Sequence, residues 1–294
     1  MSNSANLTFG LASLRAVLCE MMIFPVVFHF FGLSLPAHLV FETLAYGVGF
    51  RLYVWLRQKS HDAIDDQSRL TVLVGAVVGA ALASKTLGFA EHPKLWRLAM
   101  ANPAYGFAAK SILGGLLGGI IGVEIAKAFA GITRSTGDIY VFPLLIAMAI
   151  GRLGCLLTGV SDGTWGDATH FALGFNAGDG VIRHPTPLYE IGFLTILGTI
   201  LWHVQRHLKL VEGDFFKLFI MGYCAWRFEI EFLKPVTTYS LSNGLNIVQN
   251  IANDNALRAH PGLSLLQLSA LAGFTFYAAY FVRRYFKRGD NGNA

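Results

Sequence analysis

The sequence predicts an all-α integral membrane protein: a bundle of seven transmembrane helices with external loops forming a head or lid. Three observations predict it. Of 294 residues, 54% are hydrophobic and only 14% are charged, against roughly 25% charged in ordinary globular chains. Apolar runs recur that approach the roughly 20 residues needed to cross a bilayer. The Lys and Arg residues collect in alternate connections between those runs, which marks topology rather than a nucleic-acid surface. The net charge of +5 therefore implies no nucleic-acid partner.

The spans fall near 37–56, 70–90, 111–132, 139–159, 188–205, 214–232 and 263–282. Ahead of them, residues 1–36 form an interfacial or external segment. Its stretch 8–35 is apolar but broken by Arg15, Glu20 and Pro25, so it reads as an interfacial helix rather than an eighth span. Arg15, Glu20 and the missing small-residue cleavage site argue against a cleavable signal. Residues 37–285 make the transmembrane domain and 286–294 a tail. Arg57, Lys59 and Arg69, then Lys127 and Arg134, then Arg206, Lys209 and Lys217 lie on one side with the RRYFKRGD tail. The positive-inside rule makes that side cytoplasmic and puts the N-terminus outside, with the long loops 91–110, 160–187 and 233–262 external.

Two spans carry charges that hydrocarbon does not tolerate cheaply. Arg152 interrupts IYVFPLLIAMAIGRLGCLLTG, and Arg227 and Glu231 interrupt FFKLFIMGYCAWRFEIEF. An arginine at that depth costs at least about 2.5 kcal/mol, so it faces a partner or a polar cavity. Two readings stand side by side: a site for an anion, with a lipid phosphate the natural one at that depth, or arginines that lock the bundle against carboxylates. Arginine suits phosphate because its planar fork binds two oxygens at once. Gly151 and Gly154 flank Arg152 and leave its backbone unencumbered. Arg227 and Glu231 are four apart and share a helix face, with Lys234 a turn later and Glu229 directed elsewhere.

In SILGGLLGGIIGVEIAK, glycines 114, 118 and 122, and again 115 and 119, recur every four residues. That spacing lets a second backbone approach closely. Glu124 and Lys127 follow at pairing distance. Before the fifth span, VIRHPTPLYEIGF places Arg183 and His184 just above the membrane, with Tyr189 and Glu190 opening the helix. His184 is either a general base or a surface histidine bonded to a loop. Cys19, Cys155 and Cys224 form no CxxC pair, so neither a disulfide framework nor structural zinc is expected. HExxH, dinucleotide and P-loop motifs are missing, so no metal or organic cofactor is expected.

The glycine-rich third span, GRLG, RHPTPLYE and RFEIEFLKP occur in the order seen in the prolipoprotein diacylglyceryl transferase family, which the chain resembles over nearly its whole length. The resemblance implies a seven-helix enzyme of the bacterial inner membrane with its N-terminus outside. It implies transfer of the diacylglyceryl group of phosphatidylglycerol to the lipobox cysteine of a preprolipoprotein, releasing glycerol phosphate. Arg152 and Arg227 would then hold the lipid phosphate and Glu231 would orient Arg227. His184 and Glu190 become the acid–base candidates; Gly154, Tyr189 and Lys234 are secondary. The chain departs from the family where Leu113 replaces a histidine, Cys155 and Thr158 replace asparagines, Val160 replaces a glutamate and Lys234 replaces an arginine. Those departures keep two alternatives open: the same donor with a small-molecule, lipid or glycan acceptor, or a non-catalytic phospholipid-binding or transport protein.

Overall fold

A tight hairpin opens the described part of the chain. The computed structural model describes residues 24–60, 64–91, 93–102, 109–234, 238–240, 246–248 and 262–290. Strands β1 (Val27–Phe30) and β2 (Leu33–Pro36) pair antiparallel, with Phe30 opposite Leu33. Phe31 and Gly32 between them both have positive φ, 49° and 82°, as the favoured two-residue hairpin turn demands. The interfacial helix expected over 8–35 therefore does not extend through 27–36. Val27, Phe28 and Phe30 favour a strand before the glycine, which permits the turn into the second strand; residues 8–23 lie outside the described residues.

Helices α1 (Ala37–Lys59) and α2 (Asp66–Glu91) follow. The basic end of α1 is tied to the start of α2 by Arg57 Nη2, 2.7 Å from Asp66 Oδ1. Asp65 caps α2 by accepting the Ser68 N–H at 2.9 Å, and that bond holds its carboxyl below the usual range. A short helix, α3 (Pro93–Ala101), occupies part of the stretch expected to be a loop. Next come α4 (Ile112–Ala130), a 3₁₀ turn at Asp138–Tyr140, and α5 (Val141–Thr158), which ends in a second 3₁₀ turn at Gly159–Asp162. A small hairpin of β3 (Phe175–Asn176) and β4 (Ile182–Arg183) precedes α6 (Thr186–His207). Helix α7 (Asp214–Ile230), the short strands β5 (Thr238–Ser240) and β6 (Asn246–Val248), and α8 (Leu265–Asp290) complete the described elements.

Six of these segments are long and apolar enough to cross a membrane: Ala37–Lys59, Asp66–Glu91, Ile112–Ala130, Asp138–Asp162, Thr186–His207 and Leu265–Arg284. Helix α7, at 17 residues, is shorter. Burial runs opposite to that of a water-soluble fold. Leu82, Ile121, Ile196 and Phe276 are each more than 60% exposed, whereas Arg152, Glu190, Arg227 and Glu231 are at most 5% exposed. Such a surface suits hydrocarbon as the solvent and keeps charge inside.

The described residues divide into two compact units, one drawn from Met1–Trp55, Phe142–Ile200 and Leu233–Pro235, the other from Leu56–Val141, Leu201–Phe232 and Val236–Ala294. In the second unit the glycine rows of α4 pack against α2. A Cβ at Gly75 would lie 2.5 Å from Gly122 O, and one at Gly114 would lie 2.6 Å from Ala83 O. Gly79 faces Gly118 at still closer range. Gly115 and Gly119, one step around the helix, have room, with nearest atoms 3.8 and 3.6 Å away. The four-residue spacing is thus a packing device on the 114/118/122 face. Lys127 Nζ meets Glu124 Oε1 at 3.0 Å on the same helix.

The start of α7 is built by the same unit. Asp138 accepts the N–H groups of Gly213 (2.6 Å) and Phe216 (2.9 Å), satisfying donors that a helix start leaves open. Buried Asp214 accepts from Tyr280 Oη (3.0 Å) and from Arg284 (2.7–2.9 Å), pinning α7 to α8.

Candidate functional site

Among the described residues, each unit buries an arginine–carboxylate pair. In the first unit, Arg152 comes from the middle of α5 and Glu190 from the first turns of α6. Arg152 Nε lies 2.8 Å from Glu190 Oε2, with side chains 6% and 2% exposed. In the second unit, Arg227 Nη2 donates to Glu231 Oε2 at 2.7 Å across one turn, with side chains 6% and 4% exposed. The desolvation cost of such pairs rivals their attraction, so burying them is a weak way to gain stability.

The loop before α6 is fixed from both sides. His184 accepts the Gly166 N–H on its carbonyl (2.9 Å), and its own N–H donates to Asp167 O (3.0 Å). The Thr186 hydroxyl donates to Thr164 O. Pro185, Thr186 and Pro187 are fully buried, so RHPTPLYE acts as a rigid entry to α6. His184 Nδ1 lies 3.2 Å from Tyr189 Oη, and Phe171 lies over its ring at 6.2 Å. Partial burial lowers the His184 pKa, opposed by nearby Asp167, so the ring is neutral at neutral pH. Arg183 is committed to Asp179 at 2.7 Å.

Gly154 has a role the sequence only hinted at. A Cβ there would lie 2.9 Å from Phe41 Cβ and 3.3 Å from His38 Cα. Its bareness lets α5 press against the first turns of α1. That approach gathers His38, Cys155 and Asp162, whose ligand-type atoms all lie within 4.8 Å of one another. His38 turns Nδ1 to Asp162 Oδ1 (2.8 Å) and Nε2 toward Glu42 Oε2 (3.5 Å). Asp162 Oδ2 accepts from Thr164, and Arg152 Nη1 approaches Cys155 Sγ at 3.6 Å. Sequence reasoning missed this cluster because His38 and Asp162 are far apart in the chain and share no motif. The one available signal was Cys155 itself, where an asparagine is usual.

Leu113 is 1% exposed in the second unit. Lys234, just past the 3₁₀ turn Glu231–Leu233, is buried, and Glu229 is exposed.

Apolar-surfaced helices long enough to span a bilayer, with charge kept in the interior, define a polytopic membrane protein. The family model for prolipoprotein diacylglyceryl transferase matches residues 24–282, and the chain belongs to that family. Among similar proteins are three whose name is phosphatidylglycerol–prolipoprotein diacylglyceryl transferase. The one from Dehalococcoides mccartyi is 29% identical over 196 residues, covering 64% of this chain and 74% of the relative. That from Bordetella bronchiseptica is 29% identical over 242 residues, 76% and 86% of the two chains. That from Idiomarina loihiensis is 30% identical over 246 residues, again 76% and 86%.

Proposed function

We propose that this protein transfers the diacylglyceryl group of phosphatidylglycerol to a thiol acceptor, the lipobox cysteine of a prolipoprotein, with release of glycerol phosphate. The observation that carries it is the family match over residues 24–282, which includes both buried arginine pairs. Arg152 and Arg227 serve the lipid phosphate. Charge grows on that phosphate as the carbon–oxygen bond to the glyceryl carbon breaks, and prepaid guanidinium donors in a water-poor site stabilise that growth. Glu190 and Glu231 position the two guanidiniums. His184, neutral and set against Tyr189, is the proton acceptor for the incoming thiol.

Helix α7 is the seventh span in this reading, because its 17 residues continue into the 3₁₀ turn Glu231–Leu233. The N-terminus is outside and the basic tail inside, in a bacterial inner membrane. Gly154 and Tyr189 act through their neighbours, and Lys234 lends positive charge near the end of α7.

A second reading has a specific observation behind it. Buried Leu113, with Cys155, Thr158 and Val160, removes side chains usual in the family, which favours the same donor with a different acceptor. Incubation of the purified protein with headgroup-labelled phosphatidylglycerol, with and without a lipobox peptide, separates the readings. Glycerol phosphate release that requires the peptide supports the first. Release without it supports another acceptor, and binding with no release identifies a lipid binder.

A further inference from the structure

We propose that Asp162, held by His38, is a positioning residue for the transfer reaction: it sets the Arg152 guanidinium through Cys155 and the His184 loop through Thr164. This rests on the transferase reading above.

The contacts close a ring between α5 and α6. Arg152 Nε stands 2.8 Å from Glu190 Oε2, and Arg152 Nη1 donates to Cys155 Sγ at 3.6 Å. Cys155 in turn hydrogen-bonds with Asp162. Asp162 Oδ2 accepts from the Thr164 hydroxyl at 2.8 Å, and Thr164 O accepts from the Thr186 hydroxyl. Thr186 and Glu190 lie a turn apart on α6, as Arg152 and Cys155 do on α5. Each helix therefore contributes two members from one face. Asp162, the last residue of the 3₁₀ turn Gly159–Asp162, joins the two pairs. Gly163 follows with φ 70°, a left-handed position that turns the chain back and lets Thr164 reach the carboxylate. From α1, His38 Nδ1 stands 2.8 Å from Asp162 Oδ1 and also hydrogen-bonds with Cys155. Both oxygens of the carboxylate are thus engaged.

The same loop presses on His184. Just past Thr164, the Gly166 N–H donates to His184 O at 2.9 Å, and the His184 N–H donates to Asp167 O at 3.0 Å. A Cβ at Gly166 would lie 2.7 Å from His184 Cβ. A shift of Thr164 therefore carries Gly166 and the imidazole with it.

Stability alone is a poor reason for such a ring. The side chains of Arg152, Glu190 and Asp162 are 6%, 2% and 9% exposed, and charges buried to that degree add little net stability. The thiol is a weak acceptor as well. A satisfied polar network instead holds its members in a single arrangement. That matters most for the guanidinium read as the phosphate's partner and the imidazole read as proton acceptor, because a misplacement of about 1 Å can cost roughly 10² in rate. Asp162 acts through those two groups rather than on the reacting atoms.

The test measures glycerol phosphate release from headgroup-labelled phosphatidylglycerol, with a lipobox peptide, by the full-length protein in nanodiscs. Asp162→Asn is expected to lower kcat by roughly 10²-fold with KM little changed, and His38→Ala to act in the same direction. Cys155→Ser keeps one donor and one acceptor and should stay near wild type, whereas Cys155→Ala should fall as Asp162→Asn does. The serine–alanine pair keeps the proposal falsifiable if Asp162→Asn fails to fold. Wild-type kcat in a folded Asp162→Asn, or equal kcat in the two Cys155 variants, overturns the proposal. A lowered thermal midpoint with kcat unchanged does so too, since that is the mark of a ring that only holds the fold. If the wild type releases no glycerol phosphate, the transferase reading fails separately, and hydrogen exchange then decides the ring. Faster exchange of the Gly166 and His184 amides in Asp162→Asn than in wild type supports it; unchanged exchange overturns it.

Discussion

Arg152 Nε and Glu190 Oε2, from helices α5 and α6, stand 2.8 Å apart with neither side chain more than 6% exposed. The pair has two duties: it lets a guanidinium sit inside a membrane unit, and it sets the direction of the fork. Removing the carboxylate leaves a buried charge uncompensated, typically at a cost of about 3–5 kcal/mol. Glu190→Gln is therefore expected to lower the thermal midpoint clearly and to impair turnover. The double variant Arg152→Met/Glu190→Leu should regain most of the stability and none of the activity. Thermal unfolding in detergent, read beside the glycerol phosphate assay, checks both. A double variant no more stable than Glu190→Gln would show that the pair's packing, not its charge balance, matters.

The glycine rows of α4 make a contrast within one helix. Gly118→Leu should prevent α2 and α4 from closing, because Gly79 and Ala83 stand against that position. Gly115→Ala should change stability by less than about 0.5 kcal/mol, as for a substitution into open space, since its nearest neighbour atom would be 3.8 Å away. Expression level and size-exclusion profile of the two variants decide it. Equal behaviour would remove the close-packing account.

His184 gives a pH signature. Burial lowers its folded-state pKa below the ordinary value of about 6.5. A histidine with a depressed folded pKa contributes stability above the unfolded pKa, and loses it as pH falls through the folded one. The wild type should therefore lose more stability than His184→Gln when the pH drops from 7.5 to 5. As the proton acceptor, His184 should also place an inflection in the rate below about pH 6.5. Parallel stability curves would mean that the fold is indifferent to the imidazole's charge. A rate profile without inflection would remove the base.

Much of this was legible in the residues. The apolar runs located six spanning helices to within a few residues, since hydrocarbon permits little else. The i, i+4 spacing of Arg227 and Glu231 forecast their contact, and the glycine period forecast a close helix pair. Partners distant in sequence were not legible. Glu190 as the counter-ion of Arg152, Asp138 as the cap of α7, and the meeting of His38 with Asp162 all depend on helix placement, which no local pattern encodes. The β1–β2 hairpin was missed because its aromatic residues continue the apolar run of the preceding segment and hide the turn at Phe31–Gly32.

The most direct test of the central claim is release of labelled glycerol phosphate from phosphatidylglycerol, with a lipobox peptide as acceptor, by wild type and Arg227→Lys. Lysine keeps the charge but cannot present two donors in a plane. The account predicts peptide-dependent release by the wild type and a loss of roughly 10²–10³-fold in the lysine variant, the usual worth of a transition-state donor. A thioether-linked diacylglyceryl peptide should form in equal amount. Near-normal turnover by Arg227→Lys would contradict the account, reducing Arg227 to a structural counter-ion of Glu231.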